Sequence, residues 1–235
     1  MRVRVVLPVT APELLDRVRA ELAAGAVAGV ETDVVAIGAG PASIECEYDE
    51  ALALPGVLQE VERAAAEGVD GVFVTCFGDP AVPAARELVG IPVVGGFEPA
   101  VLAAMSVSDR FGVVCVLPDV MPMIRALVRR HGLADRFAGI RSVDIPVLDL
   151  EGEDELARAL LDQATALVER DGAESIVLGC TGMLGVAAAL GDALLAKGLP
   201  VPVVDPTRTA LAWLRMQHDL GLGSSGVTYV RRARR

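Results

Sequence analysis

Short apolar runs alternate with stretches of helical period along this chain, and the pattern occurs twice. Met1-Arg2-Val3-Arg4-Val5-Val6-Leu7 reads as a strand at about residues 2–7, the periodic segment 12–24 as a helix, and Val34-Val35-Ala36-Ile37 as a second strand. A helix is predicted over 50–67, because Leu52, Val57, Leu58, Val61, Ala64 and Ala65 share one broad face. Pro55 and Gly56 weaken its beginning and place its regular part later. A strand at 71–75, a loop carrying a cysteine, a helix near 81–89 and a strand at 91–94 complete the first half. The second half has the same order. The expected elements are a strand at 111–117, a helix at 120–131, a strand at 143–147 and a long helix at 153–171. A strand at 175–179, a second cysteine loop, a helix through residues 187–190, a strand at 201–204 and a helix at 207–219 follow, the last docking back on the first unit.

The repeat extends to individual residues. Val72-Phe73-Val74-Thr75-Cys76-Phe77-Gly78 answers Ile176-Val177-Leu178-Gly179-Cys180-Thr181-Gly182, and Glu67-Gly68-Val69-Asp70 answers Asp171-Gly172-Ala173-Glu174, at one offset of 104 residues. Leu7-Pro8 matches Leu117-Pro118, and Val93-Val94 matches Val203-Val204, at an offset of 110. Apolar strands separated by helices imply an α/β fold of two similar, mainly parallel sheets covered on both faces. Residues 1–97 plus 208–235 are expected to form the first unit and 98–207 the second.

Charge narrows the partners. The 235-residue chain carries a formal net charge of -11, which argues against nucleic acid and anionic membrane surfaces. The basic tail Arg231-Arg232-Ala233-Arg234-Arg235 is a local exception and reads as a solvated terminus. No apolar segment reaches membrane-spanning length, and Pro8 and Glu13 interrupt the N-terminus before a signal-peptide core develops. A soluble, cytoplasmic protein is expected.

The candidate chemistry lies in cysteine. Cys46, Cys76, Cys115 and Cys180 have neither a paired spacing nor a companion histidine cluster, so zinc and iron–sulfur binding are poorly supported. Cys76 and Cys180 stand at the carboxyl ends of matched strands, where parallel α/β units collect their functional groups. A lone buried cysteine is usually a small core residue, whereas repetition at matched strand ends favours a reactive pair. Two opposed thiols suit removal of a proton from one face of a carbon and its return to the other. Glycine turns after each cysteine would turn backbone N–H groups toward an anion, with a helix N-terminus favouring thiolate. Asp79 is expected to cap the helix after Cys76 and Pro80 to open it, while Thr181-Gly182 offers a hydroxyl and a flexible turn. A disulfide between the two thiols stays open, since pairing depends on separation and direction.

Other groups read as structural. Cys115 lies inside a strand and Cys46 in a loop without a partner, and His131 and His218 read as surface or capping groups. Asp119 and Asp205 read as helix caps, and Thr10 and Thr207 as caps or cleft residues. No dinucleotide fingerprint or Walker loop is present.

Thr75-Cys76-Phe77-Gly78-Asp79-Pro80 and Leu178-Gly179-Cys180-Thr181-Gly182-Met183, with Gly40-Pro41-Ala42-Ser43-Ile44-Glu45 and Ile145-Pro146-Val147-Leu148-Asp149-Leu150, carry a resemblance that spans nearly the whole chain. The sequence resembles the aspartate/glutamate/hydantoin racemase superfamily, most closely the hydantoin and allantoin racemase branch. The resemblance implies two units related by a pseudo-twofold axis, a cofactor-independent site in the cleft between them, and assembly as a homo-oligomer. It implies Cys76 and Cys180 as the catalytic pair, and substrate contacts from Pro8, Thr10, Phe77, Gly78, Asp79, Thr181 and Gly182. The implied reaction is racemisation of a 5-substituted hydantoin at C5, through an enolate-like carbanion, with a small cyclic amide or ureide as the partner. Allantoin racemase, amino-acid racemase, a related decarboxylase or isomerase, and a degenerate binding protein are the alternatives. Two departures stand out: Leu7-Pro8-Val9-Thr10 replaces an Asn-Pro-Asn-Thr-like loop, and Thr181 follows the second cysteine where the hydantoin branch commonly has alanine.

Overall fold

A computed structural model describes residues 1–150 and 153–231. The part of the basic tail beyond Arg231 lies outside the described residues. The first half runs β1 (Arg2–Leu7), α1 (Pro12–Ala24), β2 (Glu31–Ala36), α2 (Glu47–Ala66), β3 (Gly71–Val74), α3 (Val82–Leu88), β4 (Val93–Val94) and α4 (Phe97–Val107). The second runs β5 (Phe111–Cys115), α5 (Met121–Arg130), β6 (Phe137–Ser142), α6 (Glu153–Glu169), β7 (Ser175–Leu178), α7 (Ala187–Ala196), β8 (Val203–Val204) and α8 (Pro206–Asp219).

The strands form two four-stranded parallel sheets, ordered β2-β1-β3-β4 and β6-β5-β7-β8. The same order in both halves is the structural form of the sequence repeat. Apart from exposed Arg2 the central strands are buried, as a sheet covered on both faces requires, and Arg2, Arg4 and Ser175 are the polar residues in their otherwise apolar runs. On β3 the side chains divide by period two. Val72 and Val74 pack with residues of α2 and α3, while Phe73 joins the larger core that also contains Val113 and Val177 of the second sheet.

The matched tetrapeptides before β3 and β7 do matched work. Gly68 and Gly172 turn at φ 72° and 71°, in the left-handed region that glycine adopts without strain. The Asp70 carboxylate accepts the Arg2 N–H at 2.6 Å, and Glu174 accepts the Asp109 and Arg110 N–H groups at 2.8 and 3.2 Å. Each acid ties the start of its unit's first strand. Glu67 and Asp33 flank the buried Arg4 guanidinium at 2.5 and 2.7 Å, and Asp171 makes a two-bond pair with Arg141.

The helix that ends each half crosses to the other sheet. α4 packs on β5, β7 and β8, and α8 packs on β3 and β4, with α4 and α8 against each other. Phe97, Ala100, Ala104, Ala210, Leu211 and Leu214 are essentially removed from water at this joint. Asp205 caps α8 as its sequence position predicts, accepting the Thr207 and Arg208 N–H groups at 2.8 and 3.1 Å.

Three expectations need correction. The strand placed at 143–147 lies instead at Phe137–Ser142, because Asp144 turns at φ 60° and Pro146 has no N–H for a ladder. α2 starts at Glu47 and runs straight through Pro55. Pro55 and Ala51 are both exposed, so the carbonyl that Pro55 leaves without a donor meets water, and Glu47, Asp49 and Glu50 favour the helix start. α4 has no counterpart among the expected elements, since its run of mostly apolar residues carries little periodic contrast.

Gly56 is a packing glycine. A Cβ there would stand 2.9 Å from Ile37 Cβ and 3.0 Å from the Ala39 carbonyl oxygen, so α2 lies close against the chain leaving β2. Gly56→Ala is expected to lose about 1–3 kcal/mol of stability by overpacking. The check is a lower urea midpoint with an unchanged m-value.

Candidate active site

All strands of a parallel sheet end on one edge, and here the loops leaving β1, β3, β5 and β7 meet around a single cavity. Cys76 and Cys180 both line it. So do Pro8, Phe77, Gly78, Thr181 and Gly182 of the predicted set. Leu7, Val9, Leu14, Val18, Ile44, Val116, Val120, Met123, Ile124 and Val147 make most of the remaining wall apolar. The volume is ≈ 60 Å³, and at roughly 10–15 Å³ for each water position that suits one compact small molecule.

The two cysteine turns have the same local geometry. The Gly78 N–H points at Cys76 Sγ at 3.4 Å, and the Gly182 N–H points at Cys180 Sγ at 3.3 Å. Each turn brings a backbone N–H back onto the sulfur two residues earlier, where it stabilises thiolate. The turns also approach each other: a Cβ on Gly96 would meet Thr181 Cγ2 at 3.0 Å and the Cys76 carbonyl oxygen at 3.1 Å. The four described cysteines are free thiols.

Asp79 does a different job from the one expected. α3 begins at Val82 with no side-chain cap, and Pro83 rather than Pro80 occupies its first turn. The Asp79 carboxylate instead accepts the Phe97 N–H at 2.8 Å and the Glu98 N–H at 3.2 Å, capping α4 from outside. Gly95 makes room for it, since a Cβ there would fall 2.0 Å from Asp79 Oδ1. Asp79 does not line the cavity. Nor does Thr10, whose hydroxyl donates to the Pro41 carbonyl at 3.2 Å and fastens the loop that carries Ile44. The helix N-termini at Val82 and Ala187 lie six and seven residues beyond the sulfurs, and the backbone N–H groups that act on the sulfurs belong to the turns.

Burial sets the protonation of the site. It pushes the Cys76 thiol far above its ordinary value; the Gly78 N–H opposes this, while Cys180, Glu50 and Asp79 add to it. Cys180 is pushed up to about 11 by burial, against the Gly182 and Met183 N–H groups, with Glu45 raising it and Arg17 lowering it. Burial thus favours the protonated form of both thiols, and the turn N–H groups oppose it. Glu50 is itself raised by burial and by Glu47, and its Oε2 lies 3.0 Å from where a Gly78 Cβ would stand. Glu45 bridges the two units by accepting the Val147 N–H at 2.9 Å.

The sequence reading missed Glu45, Glu50 and the apolar wall. Glu45 and Glu50 sit some thirty residues before Cys76, and only folding brings them near the thiols. The remaining candidates are placed elsewhere. His131 leans on the Phe97 ring at 5.5 Å, Cys115 is buried in β5 with its thiol donating to the Leu117 carbonyl, and Cys46 precedes α2. Among the described residues no three His, Cys, Asp or Glu side chains are grouped to hold a metal ion, and no helix is long and apolar enough to cross a membrane.

The sequence model of the family described as Asp/Glu/Hydantoin racemase matches residues 3–214. The chain belongs to this family. A hydantoin racemase of Pseudomonas sp. (strain NS671) is 39% identical over 228 residues, covering 96% of this chain and 89% of that protein. A hydantoin racemase of Rhizobium meliloti is 40% identical over 188 residues, covering 80% of this chain and 76% of its own. Among solved structures, allantoin racemase from Klebsiella pneumoniae superimposes with a TM-score of 0.91 at 34% identity, over 100% of this chain and 95% of that one.

The carboxylate beside Cys76 should be measurable through the thiol. Glu50→Gln removes a negative charge from its neighbourhood, so the Cys76 pKa falls and iodoacetamide alkylates Cys76 faster at pH 8. An increase of about two- to tenfold, read by mass spectrometry of the Cys76 peptide, corresponds to a Coulomb effect of up to one pKa unit. An unchanged rate would mean that Glu50 does not act on this sulfur.

Proposed function

We propose that this racemase inverts the configuration of a hydantoin-ring substrate at C5 by a two-cysteine mechanism. The observation that carries the reading is the pair of matched turns that present Cys76 and Cys180 to one small cavity. One sulfur, as thiolate, removes the C5 proton. The electron pair left on carbon is delocalised into the adjacent ring carbonyl, and the other cysteine, as thiol, delivers its proton to the opposite face. The products are the mirror-image ring and a pair of sulfurs with exchanged protonation, ready for the reverse direction. Proton carriers of opposite charge state are what the mechanism needs, and the unequal surroundings of the two sulfurs support it.

The ring, rather than its substituent, is what the family relationship supports most directly. Allantoin is itself a hydantoin with a ureido group at C5, so one mechanism serves it and a 5-alkylhydantoin. Likeness over the full chain to solved allantoin racemases supports the ureido substrate. An aliphatic wall supports the alkyl one. An amino-acid racemase would need charged partners for a carboxylate and an ammonium, and among the described residues no charged side chain lines this cavity.

Enantiopure 5-alkylhydantoin and allantoin, each incubated with enzyme in deuterated buffer against a no-enzyme control, should lose optical rotation while C5 gains deuterium. Cys76→Ser and Cys180→Ser should each lower racemisation by about 10²–10⁴-fold, the usual contribution of a positioned acid or base. Either variant racemising both enantiomers at the wild-type rate would sink the two-base assignment.

A further inference from the structure

One polar group in the cavity wall has no part in the cysteine chemistry. Thr75 immediately precedes Cys76, is 3% exposed and lines the cavity. Its Oγ1 is buried and, among the described residues, has no hydrogen-bond partner. Buried hydroxyls are normally paired, because a group withdrawn from water otherwise loses its hydrogen bonds. Valine has the same shape without that loss, and valine occupies Val72 and Val74 of the same strand.

The setting of Thr75 favours a bound molecule as the missing partner. Its N–H continues the ladder to the Val6 carbonyl at 2.9 Å, so strand alternation sets it on the side of Phe73, toward the second unit. The matching position before Cys180 is Gly179. A Cβ there would lie 2.7 Å from Val113 Cγ1 and 2.9 Å from the Val114 carbonyl oxygen, so a hydroxyl fits only on the Cys76 side. Apart from the two thiols, Thr75 and Thr181 are the polar side chains of the lining among the described residues, and Thr181 sets its methyl group toward Gly96. No hydrogen bond holds the Thr75 rotamer, so exchanging its methyl and hydroxyl groups about χ1 breaks none.

We propose that Thr75 is a catalytic residue whose hydroxyl donates to the substrate carbonyl oxygen next to the acidic carbon, a role that rests on the racemase reading above. When the thiolate takes the C5 proton, the C–H bond breaks and its electron pair moves onto that oxygen. The Thr75 proton stays on Thr75, and its hydrogen bond strengthens as the oxygen gains charge. When the opposite thiol returns a proton to C5, the electron pair goes back to carbon and the bond relaxes. A donor aimed at charge that exists only in the transition state raises kcat rather than lowering KM.

The test compares wild type with Thr75→Val and Thr75→Ser on the 5-alkylhydantoin and on allantoin, measuring kcat, KM, C5 deuterium uptake and Tm. Thr75→Val is expected to lose about 10²–10³-fold in kcat and in deuterium uptake, the scale for one oxyanion donor. KM should be nearly unchanged and Tm equal to or above wild type. Thr75→Ser should recover most of the rate. Wild-type kcat in Thr75→Val would overturn the proposal, as would a rise in KM alone, which would place the hydroxyl on a remote substrate atom. A fall in activity and Tm together, without rescue by serine, would assign Thr75 to structure and also overturn it. Wild type inactive on both substrates would instead sink the racemase reading itself.

Discussion

Two thiols held in an apolar cleft, each facing backbone N–H groups of its own turn, are the constraint on which the rest depends. Burial opposes ionisation of both sulfurs, and the Gly78 and Gly182 N–H groups offset only part of that effect. The surroundings also differ: the Glu50 and Asp79 carboxylates act on Cys76, and the Glu45 carboxylate together with the Arg17 guanidinium on Cys180. A reaction that needs one base and one acid is served by this inequality. Water exclusion has a second consequence, since any dipole or hydroxyl in the wall acts more strongly on developing charge than it would in solvent.

The scaffold that holds this arrangement is built from exchange. Each half contributes four parallel strands, then sends its last helix onto the other half's sheet, so α4 and α8 lie together between the sheets. The Cys76 turn is fastened to that joint. The Cys76 carbonyl accepts the Gly96 N–H at 3.0 Å, and Asp79 caps the start of α4. Gly95 and Gly96 are the points of closest approach, where a side chain would strike Asp79 and Thr181. Glu45 adds a further link across the cleft, through the Val147 N–H.

Pseudo-symmetry is strong in the backbone and weak in the side chains that matter. The Gly68 and Gly172 turns are near-copies, as are the two N–H contacts to sulfur. Yet Thr75 corresponds to Gly179 in the repeat, and Phe77 to Thr181. In the proposed mechanism two equivalent sulfurs on a symmetric framework meet one carbon from opposite sides, whereas a substrate with a single carbonyl next to that carbon has no such symmetry. Side chains that differ between the halves are where recognition of an unsymmetrical ring can reside.

The sequence by itself determined the repeat, the two parallel sheets and the position of the paired cysteines at strand ends. Those features depend on local apolar periodicity and on turn chemistry, which are written in consecutive residues. It also foretold the Asp205 cap, whose acceptor and donors lie within three residues. Only the tertiary structure decided the partner of Asp79, because a short side chain that turns left-handed at φ 53° can reach a helix beginning eighteen residues later. It also decided that Thr10 faces Pro41 rather than the cavity, that Pro55 lies on a wet helix face, and that Glu50 stands beside Cys76. Each of these depends on the distance between residues remote in the chain, which packing of the elements sets and residue order alone does not.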